Sequence, residues 1–166
     1  ARTFARLGVD VLRIGDDLGT QEALLVSPAM YREWIKPHHA RVIAAARGVR
    51  PGIPVLYHSD GNVQQLIPEL LDIGVTALNP VQPEVMDPVR VKVEYGDELT
   101  IWGGASTQRT IAFGSEADVD AEVARRLETL APGGGYVCGF INVAASPRAR
   151  RNVLRYMRRM HELGVY

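Results

Sequence analysis

With 166 residues, 46% of them hydrophobic, the chain has enough apolar material to bury a core, and its 19 basic and 19 acidic side chains cancel. That balance argues against nucleic acid or an anionic membrane surface as partner, and no apolar run reaches the ~20 residues of a membrane span. A single cysteine, Cys138, excludes an internal disulfide framework and fits a reducing, cytoplasmic compartment, and the opening Ala1-Arg2-Thr3-Phe4 carries no signal-peptide core.

One pattern recurs along the chain: a glycine, a short apolar strand, a polar cluster, then an amphipathic helix. Phe4 to Gly8 reads as the last turn of a helix, after which Gly8 introduces a strand over Val9 to Ile14 that ends in Asp16-Asp17. Ser27-Pro28 places a cap before a proline at the first helical position. The helix around Trp34 to Ala46 carries His38-His39, whose neighbouring side chains diverge and read as surface or packing groups. Gly52 precedes a strand over Pro54 to Tyr57, which runs into His58-Ser59-Asp60-Gly61-Asn62. Gly74 precedes Val75 to Leu78, followed by Asn79 and Gln82, and Asp87-Pro88 opens the next helix. Gly96 precedes Leu99 to Trp102, followed by Ser106-Thr107-Gln108. Ser115 with Asp118 forms a capping box, Asp standing for the usual Glu, for a helix to about Leu130. Gly133 to Gly135 precede Tyr136 to Ile141, which ends at Asn142, and Ser146-Pro147 opens the last helix. Its six arginines between Arg148 and Arg159 interleave with Val153, Leu154, Tyr156 and Met157 at helical spacing, the pattern of a solvated outer face. His161 lies near the end of that helix, where the dipole favours an imidazolium.

Short strands alternating with helices predict parallel β/α units, hence an α/β fold. A complete barrel has eight such units. The count here is five, and the first helix opens in mid-element, so the expectation is one domain over residues 1–166. That domain is the C-terminal part, about five β/α units, of a TIM (β/α)8 barrel whose N-terminal units are missing. Two strand edges would then lack neighbours, which predicts self-association into a homo-oligomer.

Every polar cluster follows a strand, and the carboxyl ends of parallel strands are where such sheets build their sites. His58 and Asp60 are two apart in an extended segment, so both point to one side and can reach one metal ion or one substrate. Ser-Asp-Gly-Asn is also ordinary turn chemistry. Gly133 to Gly135 precede a strand, which places them away from the site, and Cys138, inside an apolar strand, reads as core packing.

Several segments carry a resemblance that covers nearly the whole chain: Gly15 to Gln21, His58 to Asn62, Ala77 to Gln82, Trp102-Gly103-Gly104, Leu130 to Tyr136 and Gly164-Val165-Tyr166. In order and spacing they resemble the C-terminal half of the uroporphyrinogen decarboxylase superfamily. The resemblance implies a β/α barrel with its cleft at the carboxyl rim and one of two chemistries. One is cofactor-free decarboxylation of uroporphyrinogen-type tetrapyrroles, as in porphyrin biosynthesis. The other is zinc-dependent methyl transfer from methylcobalamin or a corrinoid protein. His58 falls on the histidine of the methyltransferases' His-x-Cys pair and Asp60 on its first cysteine. Asn142 falls where the family has a functional histidine or a third ligand, and asparagine is a poor zinc ligand. Asp17 matches a position that is a substrate-contacting serine in decarboxylases and an acidic ligand in some methyltransferases.

The implied assignment is a metal-assisted methyltransferase-like enzyme. Its metal ligands would be His58, Asp60 and Asp17, a harder set than a thiolate site, suited to zinc or to another divalent metal such as manganese or iron. Asp17, His58, Asp60 and Asn142 are the catalytic candidates, and Asp16, Asn79, Gln82, Ser106 and Gln108 the substrate-binding ones. The partners implied are a small-molecule or tetrapyrrole substrate and a corrinoid protein. Two alternatives stay open: decarboxylation, with no cofactor, and a non-catalytic module that binds a tetrapyrrole or a corrinoid protein.

Overall fold

The computed structural model describes residues 1–139 and 146–164. Five strands, β1 (Leu12–Gly15), β2 (Val55–His58), β3 (Ala77–Val81), β4 (Thr100–Gly104) and β5 (Tyr136–Gly139), follow one another in sheet order β1-β2-β3-β4-β5. Helix α1 (Arg2–Arg6) precedes β1, helices α2 (Pro28–Met30), α3 (Lys36–Arg47), α4 (Ile67–Asp72), α5 (Pro88–Tyr95) and α6 (Glu116–Leu130) lie between the strands, and α7 (Pro147–Leu163) comes last. This is the alternating α/β pattern that the sequence predicts. The chain divides into two compact units, one of residues Ala1–Asn79 with Glu98–Thr100 and one of Pro80–Asp97 with Ile101–Tyr166.

In the first unit, β1 and β2 pair in parallel with Gly15 opposite His58, and β2 and β3 pair in parallel with His58 opposite Asn79. Val55, Tyr57 and Leu78 are fully buried beneath the helices. From α3 the inward residues are His39, Ile43 and Ala46, and from α4 Ile67 and Leu70, the spacing of one helical face against a sheet. Ser27 caps α2 by accepting from the Met30 amide. The helix expected around Trp34 to Ala46 is found in two pieces, because a wide π turn, Tyr31–Ile35, joins α2 to α3. Pro37 has no N–H to give to Glu33, and widening the turn is how the chain absorbs that loss. β1 starts at Leu12, three residues later than Val9, because the Val9 carbonyl accepts from the Arg50 guanidinium and Val11 faces solvent.

In the second unit, β4 and β5 pair in parallel from Ile101 opposite Tyr136 to Gly104 opposite Gly139. Asp87 caps α5, and the Ser115–Asp118 capping box opens α6, both at the expected places. α6 buries Val119, Val123, Arg126 and Leu130 on one stripe. α7, capped by Ser146, buries Ala149, Asn152 and Tyr156. Arg155 pairs with Asp120 at 2.6 Å and Glu116 at 2.6 Å, and Arg159 also faces Asp120, so part of the arginine-rich face is neutralised by α6. The outer end of the expected Tyr136 to Ile141 strand, and Asn142 with it, lies outside the described residues.

Candidate metal centre

The carboxyl ends of β1 and β2 carry the site. Gly15 is the last residue of β1, and a Cβ there would sit 2.1 Å from the His58 carbonyl oxygen, so only glycine lets the two strand ends close up. Beyond the strands the two loops are clamped together. A Cβ on Gly19 would lie 2.7 Å from the Asn62 nitrogen, and one on Gly61, whose φ is +81°, would lie 2.5 Å from the Gly19 carbonyl carbon. The Asn62 amide donates to the Thr20 carbonyl at 2.8 Å across this contact. Ser59, fully buried, accepts from the Leu18 amide at 3.0 Å and donates to the Asp60 carbonyl at 3.0 Å.

This clamp brings Asp17, His58 and Asp60 together, with one ligand atom from each lying within 4.8 Å of the other two. They form a group of three metal-ligating side chains that meets this distance among the described residues. The Asp60 amide donates to Asp17 Oδ1 at 3.0 Å, which holds the exposed Asp17 against the second loop. Asn79 Oδ1 lies 2.7 Å from His58 Nδ1. A carboxamide oxygen only accepts, so Nδ1 carries the proton and Nε2 keeps the lone pair a metal requires. His58 also lines, with Arg13, a cleft of about 520 Å3 on the first unit.

Behind Asp17 stands a network that the sequence reading did not find. His39 is buried, and its Nε2 donates to Asp16 Oδ2 at 2.8 Å while Nδ1 accepts from the Tyr31 hydroxyl at 3.3 Å. The Tyr57 ring meets the His39 ring nearly edge-on, and the Tyr57 hydroxyl donates to the Asp16 carbonyl at 3.3 Å. Burial pushes both tyrosine hydroxyls well above their ordinary pKa, and nearby carboxylates add to it, Glu69 and Asp16 for Tyr31 and Asp16 for Tyr57. Both therefore remain donors. Asp16 is thus pinned through side chain and backbone, one residue before Asp17. A signal was present in the sequence: His39, Ile43 and Ala46 share one helical face, which puts His39 inside and leaves His38 exposed.

The remaining site candidates belong to the second unit or lie outside the described residues. Ser106 is buried, its hydroxyl donating to Glu84 Oε1 at 2.6 Å and its amide to Glu122 Oε1 at 3.2 Å. Gln108 is exposed and its amide donates to Glu84 Oε1 at 3.2 Å, while the Gln82 carbonyl accepts from the Val85 and Met86 amides. Asn142 is not among the described residues. Sequence reasoning missed Glu84 and Glu122. Glu122 and Arg126 were legible, being a Glu/Arg pair four apart on the buried stripe of α6. The Cys138 thiol lies 3.0 Å from the Tyr136 hydroxyl and 2.7 Å from that of Tyr156, against a core of Ala105, Ile111, Val119 and Val123. Burial pushes its pKa up, which suits packing and not nucleophilic chemistry.

Residues 1–141 match the model of the uroporphyrinogen decarboxylase (URO-D) family. Among solved structures, the chain is similar to a methyltransferase from Methanosarcina mazei, with a TM-score of 0.73 and 20% identity over 99% of this chain. The chain spans 45% of the length of that structure, as a partial β/α barrel does. No curated protein matches.

Proposed function

We propose that the chain, which belongs to the uroporphyrinogen decarboxylase family, carries the metal-holding part of a methyltransferase-like enzyme that uses a cobalamin or corrinoid methyl donor. The observation that carries this reading is the convergence of Asp17, His58 and Asp60 within 4.8 Å, with Asn79 fixing the histidine tautomer. The residues fit an ion: donors bonded to one zinc at 2.0–2.2 Å lie roughly 3–4 Å apart, a small contraction from the separation here. One imidazole and two carboxylates make a hard, anionic set, suited to zinc and equally to manganese or iron. Similarity to a methyltransferase supports the branch at the level of fold.

A divalent ion so held supplies Lewis acidity, lowering the pKa of an acceptor hydroxyl or thiol until it is nucleophilic at neutral pH. The chain's own residues prepare the place. His58 presents Nε2, Asp17 and Asp60 present oxygens, and the His39–Asp16 contact together with the Gly19–Gly61 clamp keeps the two loops from drifting apart. We assign Asn142 a catalytic role with Asp17, His58 and Asp60, and Asp16, Asn79, Gln82, Ser106 and Gln108 roles in binding the substrate, and place the protein in the cytoplasm. Decarboxylation of a uroporphyrinogen-type tetrapyrrole is the second reading, favoured by the family's description and by two adjacent carboxyl groups, one of which would serve as the proton donor.

Elemental analysis decides between them. Protein purified without chelators should carry stoichiometric divalent metal, and His58→Ala should lose it while retaining its fold by circular dichroism. Absence of stoichiometric metal from the parent protein refutes the methyltransferase reading and hands the site to decarboxylation.

A further inference from the structure

Arg13 lies in the middle of β1, between buried Leu12 and half-buried Ile14, and is itself exposed. The register says which way it faces. Gly15 stands opposite His58, and a Cβ on Gly15 would lie 2.9 Å from the His58 Cβ, so these two positions share one side of the sheet. Arg13, two residues before Gly15, is on that side as well. Two residues' rise along β1 and one strand spacing across put the Arg13 and His58 Cα atoms about 8 Å apart, a gap that a long arginine side chain narrows further. Both residues line the same cleft of about 520 Å3, with Ile14 and Gly15 between them. Among the described residues Arg13 makes neither a hydrogen bond nor an ion pair, and its partner position on β2 is the apolar Leu56. Its guanidinium is therefore open to whatever enters the cleft.

The charges around the cleft name the complement. Two carboxylates, Asp17 and Asp60, cancel a divalent ion, and Asp16 is engaged by His39. Arg13 is the charge left over beside them. A guanidinium takes a carboxylate through two parallel hydrogen bonds, so an acid is the group that fits it. The far end of such a molecule meets an ion held by one nitrogen and carboxylate oxygens, a hard centre that favours an oxygen acceptor over a sulfur one. The short distance between Arg13 and His58 limits the chain joining the two ends to a few bonds.

We propose that the substrate of this site is a short hydroxy acid, its carboxylate seated on Arg13 and its hydroxyl turned toward the ion that Asp17, His58 and Asp60 hold. The hydroxyl end rests on the metal reading above, and the carboxylate end rests on Arg13 alone.

Isothermal titration of the whole chain loaded with Mn2+ tests the proposal, with 3-hydroxypropionate and 4-hydroxybutyrate as probes and propan-1-ol and butan-1-ol as their uncharged counterparts. At least one hydroxy acid should bind with a dissociation constant of about 1 mM or below, at least about tenfold tighter than its alcohol. Arg13→Met keeps the length of the side chain on an exposed strand position and removes the charge. It should weaken the acid about tenfold or more, leave the alcohol unchanged, and still take up Mn2+. Arg13→Lys, which keeps the charge and loses the planar fork, should retain part of the preference. An acid that binds no tighter than its alcohol would overturn the proposal. So would equal affinity for the acid in Arg13→Met and parent, because the carboxylate would then be binding the metal itself. Failure of the parent chain to take up Mn2+ or Zn2+ refutes the metal reading and with it the hydroxyl end. The same titrations on the metal-free chain then decide the carboxylate end: an Arg13-dependent preference for acid over alcohol upholds it, and none up to about 10 mM overturns it.

Discussion

Replacing Asn79 by leucine keeps the side chain's volume and removes the acceptor that His58 Nδ1–H now uses at 2.7 Å. Without that acceptor the ring has no reason to prefer the tautomer that leaves Nε2 free, nor the rotamer that aims it at Asp17 and Asp60. Partners of this kind are worth 10–100-fold in metal affinity, about 1.4–2.8 kcal/mol. The effect on folding should be smaller, about 0.5–1.5 kcal/mol for one hydrogen bond. The Asn79 backbone carbonyl still accepts from the Ser59 amide at 3.0 Å, and β3 keeps its register. Competition of Zn2+ or Mn2+ against a chromophoric chelator measures the first quantity and thermal melting the second. Asn79→Asp, which offers a stronger acceptor, should restore affinity to the parent level or better. Asn79→Leu binding metal as tightly as the parent, or Asn79→Asp binding no better than Asn79→Leu, would refute the claim that Asn79 prepares His58.

What the sequence revealed was local in the chain, and what it hid was not. Ser27, Asp87, Ser115 and Ser146 cap helices within three residues of themselves, so their roles are readable from spacing alone. Strand alternation predicts that His58 and Asp60 share a side, but β2 ends at His58, so it is the clamped loop beyond the strand that carries Asp60 to within reach of His58. Asp17 lies 43 positions from the Asp60 amide that donates to it, and only resemblance to a family placed it there. The contact of Asp16 with His39 spans 23 positions and that of Ser106 with Glu84 spans 22. Periodicity carries no information at that range: it can say that His39 faces inward and cannot say what it meets. The Gly19–Gly61 clamp is hidden for the same reason, since each glycine alone looks like an ordinary turn residue.

That clamp predicts that Gly61→Ala, at φ +81° and with a Cβ 2.5 Å from backbone, destabilises by at least about 1–3 kcal/mol. Gly8→Ala, at the same φ with nothing within 4 Å, should cost only the left-handed strain, about 1 kcal/mol. Denaturant melts compare them, and equal losses would show that the close approach carries no energy. Because burial holds the Cys138 thiol protonated, iodoacetamide at pH 8 should label it far more slowly than a free thiol and at a rate that rises on denaturation; labelling at the free rate in the folded protein would contradict the packing described. The last prediction concerns pH. Lys36 bridges Glu69 at 2.6 Å and Asp72 at 2.7 Å. Hydrogen bonds from Lys36 and then Arg32 hold the Glu69 carboxyl below its ordinary pKa, and those to Asp72 and Glu69 raise the Lys36 ammonium above its own. A depressed carboxyl stabilises the fold fully above its unfolded pKa, near 4.3, and loses that contribution as pH falls through the folded value. A raised ammonium stabilises below its unfolded pKa, near 10.4, and loses the contribution as pH climbs through the folded value. The pairs are partly solvated, so each contributes at most about 1 kcal/mol and less in high salt. Melting temperature should therefore be level from about pH 5 to 9 and fall on both sides, and Lys36→Met should flatten both limbs while lowering the plateau slightly. Asp120, held low by Arg155, adds to the acid limb alone and is untouched by that substitution. A Lys36→Met profile parallel to the parent's at every pH would show that the bridge is not formed in solution.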